Sequence, residues 1–166
     1  MLRIVIPGDE ASAELNLEHL VCDVNGTMSE DGLLIEGVVG RLTELARHLR
    51  VHLLTADTFG TLDNIMSQLR TAAVAANVPA PLWKRISAGK EKATYVRELG
   101  PQSVISVGNG VNDIPMFELA RLSIVVLGVE GSSPRAVVAA DTLARSINDA
   151  LDLLLYPQRL VATLRS

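Results

Sequence analysis

Three polar segments, each directly after a short apolar run, hold most of the residues able to do chemistry. After Leu20-Val21-Cys22 comes Asp23-Val24-Asn25-Gly26-Thr27; after Val51-His52-Leu53-Leu54 comes Thr55-Ala56-Asp57-Thr58; after the run ending at Val107 comes Gly108-Asn109-Gly110-Val111-Asn112-Asp113. Any one of them alone reads as a turn or a helix cap, because Asn-Gly favours turns and Asp favours caps. Together, in this order, they suit phosphoryl transfer. An aspartate can attack phosphorus and split one hard step into two through an aspartyl-phosphate. Nucleophile and phosphate are both anionic, so a cation must screen them, and Mg2+ does this with one or two carboxylates, phosphate oxygens and water. A hydroxyl, backbone N–H groups and a lysine must take the remaining phosphate oxygens. On this reading Asp23 is the nucleophile and a metal ligand, Val24 turns inward, and Asn25 reaches over the site and lends its carbonyl to the metal. Thr55 binds phosphate through its hydroxyl, with Gly26 and Ala56 alongside; Asp113 holds the metal; Thr27 and Asn112 support the loops. Lys84, Lys90 and Lys92 are the candidates for the positive charge.

These segments need a scaffold that delivers them to one rim, and the rest of the pattern describes one. The runs at 19–24, 51–55, 103–107 and 123–129 are the near-continuous apolar stretches of strands buried on both faces. Helical spacing fills the intervals: Val38, Leu42, Leu45 and Leu49 within 37–49, Leu62, Ile65, Met66 and Leu69 within 60–76, then 89–99, 113–121 and 146–155, the last capped by Ser146 or Asn148. The stretch LWKRIS at 82–87 is a further strand candidate, and residues 1–18 read as a strand, a turn region over 8–14 and a second strand, a hairpin appended to the sheet edge. This alternation predicts one α/β domain over 1–166, a three-layer, doubly wound, mainly parallel sheet. Ligands in such sheets bind at the carboxyl ends of the strands, which is where the three polar segments emerge.

The ordered set DVNGT, TADT and GNGVND resembles motifs I, II and IV of the haloacid-dehalogenase-like (HAD) superfamily, and most of all the phosphorylation core of P-type ATPases, which reads D-K-T-G-T, T-G-D and G-D-G-V-N-D. More specifically the chain is similar to the soluble P-type ATPase-like HAD phosphatases, sharing Ile6-Pro7-Gly8, Asn25-Gly26-Thr27, the stretch from Leu54 to Thr61 and that from Asp149 to Leu155. The resemblance implies a HAD-like Rossmannoid fold, Mg2+ and a motif III lysine. In P-type ATPases that lysine stands seven residues before a helix-end Leu. Lys92 and Leu99 match this spacing, with Lys90 the runner-up and Lys84 a strand-edge surface charge.

Two departures from the motifs matter. HAD phosphatases place an Asp two residues after the nucleophile as general acid/base, and here that residue is Asn25. An amide cannot shuttle a proton, and losing such a group costs on the order of 10²–10⁴ in rate. Motif IV has Asn109 where the family has Asp, which removes a carboxylate beside the cation and leaves an amide oxygen to contribute. Asp57 matches the Asp of T-G-D, and the resemblance implies a place near the metal shell or bracing the motif IV loop.

The 27 residues between Thr27 and Thr55 and the 36 between Thr55 and Lys92 hold no cap domain and no nucleotide domain. An open site suits a large phosphorylated substrate, even a macromolecular one, or a cap lent by another subunit of a homo-oligomer. Aromatics at 3% and a net charge of -4 argue against a nucleic-acid partner. No run of about 18 apolar residues is present to span a membrane. The N-terminus lacks signal-peptide character, and the single Cys22 forms no internal disulfide, so the expected location is the cytoplasm. His19, His48 and His52 are not spaced as a metal set and read as structural or surface residues. The apolar stripe Leu155, Leu160, Val161 and Leu164 suits packing on the sheet or against a partner subunit, and packing on the sheet is the expectation. The sequence thus predicts a capless, Mg2+-dependent phosphatase-like hydrolase. Its rival is a catalytically weak module that binds a phosphorylated partner or serves in assembly.

Overall fold

The computed structural model describes all residues except 9–11, 58–59, 87 and 166. It opens on an antiparallel pair, β1 (Leu2–Ile6) and β2 (Ala13–Leu17), which forms a two-stranded sheet of its own. The expected turn over 8–14 falls partly outside the described residues. Then come β3 (His19–Asp23) and a small hairpin of β4 (Ser29–Glu30) and β5 (Leu33–Leu34). Its turn is Asp31-Gly32, both with positive φ (48° and 80°), the backbone that Asp-Gly favours in tight hairpins. The alternation follows: α1 (Val38–Leu45), β6 (Arg50–Thr55), α2 (Leu62–Ala76), β7 (Leu82–Arg85), α3 (Gly89–Leu99) and β8 (Val104–Gly108). The chain closes with α4 (Ile114–Phe117), β9 (Leu122–Val126), α5 (Pro134–Ala139), β10 (Thr142–Ala144), α6 (Ile147–Leu155) and α7 (Pro157–Leu164).

Six strands pair in parallel in the order β10-β9-β8-β3-β6-β7. The chain winds outward from β3 to β7, then returns to β8 on the other side of β3. The strand order therefore reverses at β3/β8, where open α/β sheets form their ligand crevice. Period-two alternation divides each buried strand between two helical layers. Leu20, Cys22, Val51, Leu53, Ile105, Val107, Ile124 and Val126 pack with α1, α2 and α6, whereas Val21, Leu54, Val104 and Val125 pack with α3, α4 and α5. This is the three-layer α/β architecture that the sequence predicts, with no inserted domain between Thr27 and Lys92 among the described residues.

Several boundaries differ from the sequence pattern. The helix expected over 113–121 shrinks to a 3-10 turn at Val111–Asp113 and the single turn of α4, because Asp113 is spent on the loop before it. The strand expected to reach 129 stops at Val126: Leu127 and Val129 are exposed and belong to a loop. The strand expected over 82–87 ends at Arg85, and Ser87 lies outside the described residues. Ser146 caps α6, its hydroxyl accepting from the Asp149 N–H at 3.1 Å. In α7, Leu160 is fully buried in the layer that holds α6, which is where the carboxyl-terminal stripe packs.

Candidate active site

Asp23 ends β3, and its backbone pairs with Leu54 on β6, so the next residue of β6, Thr55, stands on the same rim. Cys22 pairs with Val107 on β8, which sends Asn109 to Asp113 out beside Asp23. Parallel pairing of the three central strands is thus enough to assemble the three polar segments. Val24 is buried, as its inward turn requires, and a bridge between Asn25 and Ser29 folds the loop back over the strand end.

Lys92 completes the cluster. It lies on the first turns of α3, 1% exposed, and its Nζ donates to Asp23 Oδ1 and to Asp113 Oδ1, each at 2.6 Å. Lys90 is exposed on the same helix, and Lys84 lies 4.9 Å over the Tyr95 ring; neither reaches these carboxylates. The second oxygen of each carboxylate is also engaged. Asp113 Oδ2 accepts the backbone N–H groups of Asn109 and Gly110, both at 2.9 Å. Gly108 permits this inward fold, since a β-carbon there would stand 2.5 Å from the Asp113 carboxyl carbon. The buried Thr27 hydroxyl lies 3.1 Å from Asp23 Oδ2 and 3.3 Å from Asn109 Oδ1, placing its proton between them.

The electrostatics follow from burial. Desolvation, then the neighbouring Asp113 charge, drive the Asp23 carboxyl up to about 7 against the pull of Lys92 and Thr27. Desolvation alone would lower Lys92, yet the two carboxylates outweigh it and hold its ammonium above the ordinary lysine value. Two buried carboxylates against one ammonium leave an excess of negative charge. A divalent cation fits that deficit, and Mg2+ needs only one or two protein carboxylates beside phosphate and water. Among the described residues no group of three or more His, Cys, Asp or Glu side chains forms a metal cage, so Asp23 and Asp113 are the carboxylates available for it.

The remaining residues separate. The buried Thr55 hydroxyl accepts from the Asp57 N–H at 2.8 Å, and Ala56 is exposed at the rim. Asp57 has a left-handed backbone (φ 54°), and its carboxylate accepts from the Leu62 N–H at the start of α2 and pairs with Arg85 at 2.9 Å. The physical reason is that a helix start offers unpaired N–H groups to a nearby carboxylate. Thr58 lies outside the described residues. Asn109 is held at both ends of its amide, Oδ1 beside Thr27 and Nδ2 donating to Gly131 O at 3.1 Å. Asn112 is exposed, its side-chain oxygen 2.7 Å from where a β-carbon on Gly110 would stand.

Away from the rim, His52 is buried between His19 and Tyr95, with ring nitrogen contacts of 3.0 Å to His19 and 2.9 Å to the Tyr95 hydroxyl. Sequence reasoning missed Arg85 and the loop 127–133. The loop's Gly-bearing segment after an apolar run was the available signal, of the same kind as the other three.

No protein-family profile matches the chain. The uncharacterized protein MJ0073 of Methanocaldococcus jannaschii is 44% identical to it over 64 residues, 39% of this chain and 69% of that protein. The chain belongs to the family of that archaeal protein. Solved structures add the fold. A protein assigned to the HAD family hydrolases, from Streptomyces avermitilis, aligns over 92% of this chain and 96% of its own at 19% identity, TM-score 0.65. The 3-deoxy-D-manno-octulosonate 8-phosphate phosphatase of Yersinia pestis aligns over 96% of each chain at 19% identity, TM-score 0.61. The Moraxella catarrhalis enzyme of the same name, solved with magnesium, phosphate and KDO, aligns over 89% of this chain and 93% of its own at 14% identity, TM-score 0.59. This chain therefore has a HAD-like fold, with the Asp23, Lys92 and Asp113 cluster at its switch point.

Proposed function

We propose that this HAD-like chain is a Mg2+-dependent phosphohydrolase that works through an aspartyl-phosphate on Asp23. The observation that carries the reading is the single ammonium of Lys92 set between a strand-end carboxylate and a motif IV carboxylate at 2.6 Å from each. That arrangement supports phosphoryl transfer because it assembles a nucleophile, a fixed cation and a second metal-binding carboxylate before substrate arrives.

Asp23 attacks phosphorus, the leaving oxygen departs, and water then releases phosphate and restores the carboxylate. When bound, the metal ion would supply charge screening between nucleophile and phosphate, held by Asp23, Asp113 and the Asn25 carbonyl, with Asn109 beside them. Lys92 offsets charge on the transferring group. Thr55 turns its hydroxyl proton to a phosphate oxygen while accepting from Asp57 N–H. Thr27 orients the nucleophile through its contact with Asp23 Oδ2.

Finer features of the reading rest on the motifs. The likeness to the soluble P-type ATPase-like group, with Asn25 at the acid/base position, fits slow hydrolysis of the phosphoenzyme. The absence of an inserted domain among the described residues between Thr27 and Lys92 fits a large phosphorylated substrate reaching the rim from solvent. Cys22, buried and with its thiol pushed up by burial, suits a reducing cytoplasm. No described helix is long and apolar enough to cross a membrane.

The test is mass labelling with acetyl phosphate and Mg2+. A phosphate on Asp23, lost in Asp23→Asn and in Lys92→Ala, is the expected outcome. A wild-type chain that labels with no small donor overturns the reading in favour of a phosphate-binding module.

A further inference from the structure

We propose that Glu130 is the proton-transferring residue that Asn25 cannot be. The inference rests on the phosphohydrolase reading above and assigns one step of it to a residue outside the three motifs.

Glu130 lies on the loop 127–133, which connects β9 to α5 and rests directly on the site. Asn109 O accepts from the Ser133 N–H at 3.1 Å, and Asn109 Nδ2 donates to Gly131 O at 3.1 Å. A β-carbon on Gly128 would stand 2.9 Å from the Gly26 carbonyl oxygen, so this loop and the nucleophile loop are in backbone contact. From it Glu130 spans the mouth. Its Oε1 accepts the Asp31 N–H of the small hairpin at 2.9 Å. Its Oε2 points at Gly26, the residue after Asn25, lying 3.1 Å from where a β-carbon there would stand, while Asn109 Nδ2 lies 2.8 Å from the same point. Gly26 has φ 72°, and its bare Cα leaves the space into which the carboxylate reaches.

The carboxylates of the three polar segments are engaged elsewhere. Asp23 and Asp113 face Lys92, and Asp57 is held by Leu62 and Arg85. Glu130 is exposed to solvent, and the Asp31 N–H fixes its direction through Oε1. Position and chemistry together fit a general acid/base. In the first step the Asp23 oxygen–phosphorus bond forms, the phosphorus–leaving-oxygen bond breaks, and the protonated Glu130 gives its proton to the departing oxygen. In the second, the Glu130 carboxylate takes a proton from the attacking water, the water oxygen bonds phosphorus, Asp23 leaves as carboxylate, and phosphate is released.

The test compares the wild-type chain with Glu130→Gln in Mg2+. The amide oxygen of glutamine still accepts the Asp31 N–H, so the span across the mouth is kept while proton transfer is removed. Matching thermal midpoints establish that the variant folds. The expected result is a leaving-group split: kcat/KM falls about 10²-fold or more for glycerol phosphate, whose alkoxide needs a proton, and less than about threefold for p-nitrophenyl phosphate, whose phenolate does not. The acetyl phosphate-labelled phosphoenzyme should also decay more slowly in the variant. Equal effects on both esters, or none, with Asp23 still labelling, overturn the role of Glu130 and leave the phosphohydrolase reading standing. A wild-type chain that neither labels nor hydrolyses either ester overturns both.

Discussion

Asp23 and Asp113 share one counter-charge: the Lys92 ammonium is 2.6 Å from an oxygen of each, in a pocket where all three side chains are buried. Buried charges destabilise a fold unless they are paired, and here one negative charge is left over. The Asp23–Lys92–Asp113 geometry is therefore held at a cost to the metal-free protein.

Neutralising Asp23 should relieve that cost. Asp23→Asn leaves Lys92 and Asp113 as a balanced pair. At pH 8 in metal-free buffer its thermal midpoint should exceed that of wild type by about 3 °C, equivalent to about 1 kcal/mol for a chain of this size. Adding millimolar Mg2+ should narrow the gap by stabilising the wild type alone. A midpoint below wild type, with the fold intact, would contradict the charge imbalance.

Removing the cation should do the reverse. Lys92→Met leaves two carboxylates buried against each other and should lower unfolding free energy by about 3–5 kcal/mol, read from urea titration at pH 8. Asp113→Asn in the same chain should restore a large part of the loss, since the two positions are in contact and cannot act additively. Strict additivity in that double-mutant cycle would mean Lys92 contributes through packing of its stem.

Stability should also depend on His52. Burial, then the nearby His19 and Arg50, hold its imidazole down at about 4 in the folded chain, against 6.5 when unfolded. Between these values the unfolded chain binds the extra proton. The stability is therefore fully present above pH 6.5 and is lost as pH falls toward 4. The urea midpoint of wild type should fall more steeply from pH 7.5 to pH 5 than that of His52→Gln. Parallel slopes for the two proteins would remove His52 from the account.

Restoring the missing carboxylate offers a check on catalysis. Asn25→Asp should speed phosphoenzyme hydrolysis, within the 10²–10⁴ range that a general acid/base supplies. If Glu130 handles the proton as proposed, the gain should be larger in Glu130→Gln than in wild type, because there Glu130 no longer shares the task. A gain of the same size in both backgrounds would show that positions 25 and 130 act independently.

The central strands were readable because their burial on both faces leaves almost no polar residue in the run, and the sheet's parallel pairing then fixed where Asp23, Thr55 and Asp113 emerge. The spacing to Leu99 favoured Lys92 over Lys90, and the packing of α3 separates them: the two are about half a helical turn apart, one facing the carboxylates and the other water. The loop at 127–133 stayed hidden for a concrete reason. Leu127 and Val129 continue the apolar run of β9 in composition, yet they are 42% and 76% exposed, so a hydrophobic run overstated the strand and masked Glu130 behind it. α5 and β10 escaped notice because six and three residues are too few for a period to show.

The reversal of strand order at β3/β8 has a consequence for assembly. The register that sets His19 beside Val104 joins segments far apart in the chain, and such distant pairings form late and cooperatively. Asp23 and Asp113 come together through the pairing of β3 with β8, so the carboxylate pair is a product of the completed winding.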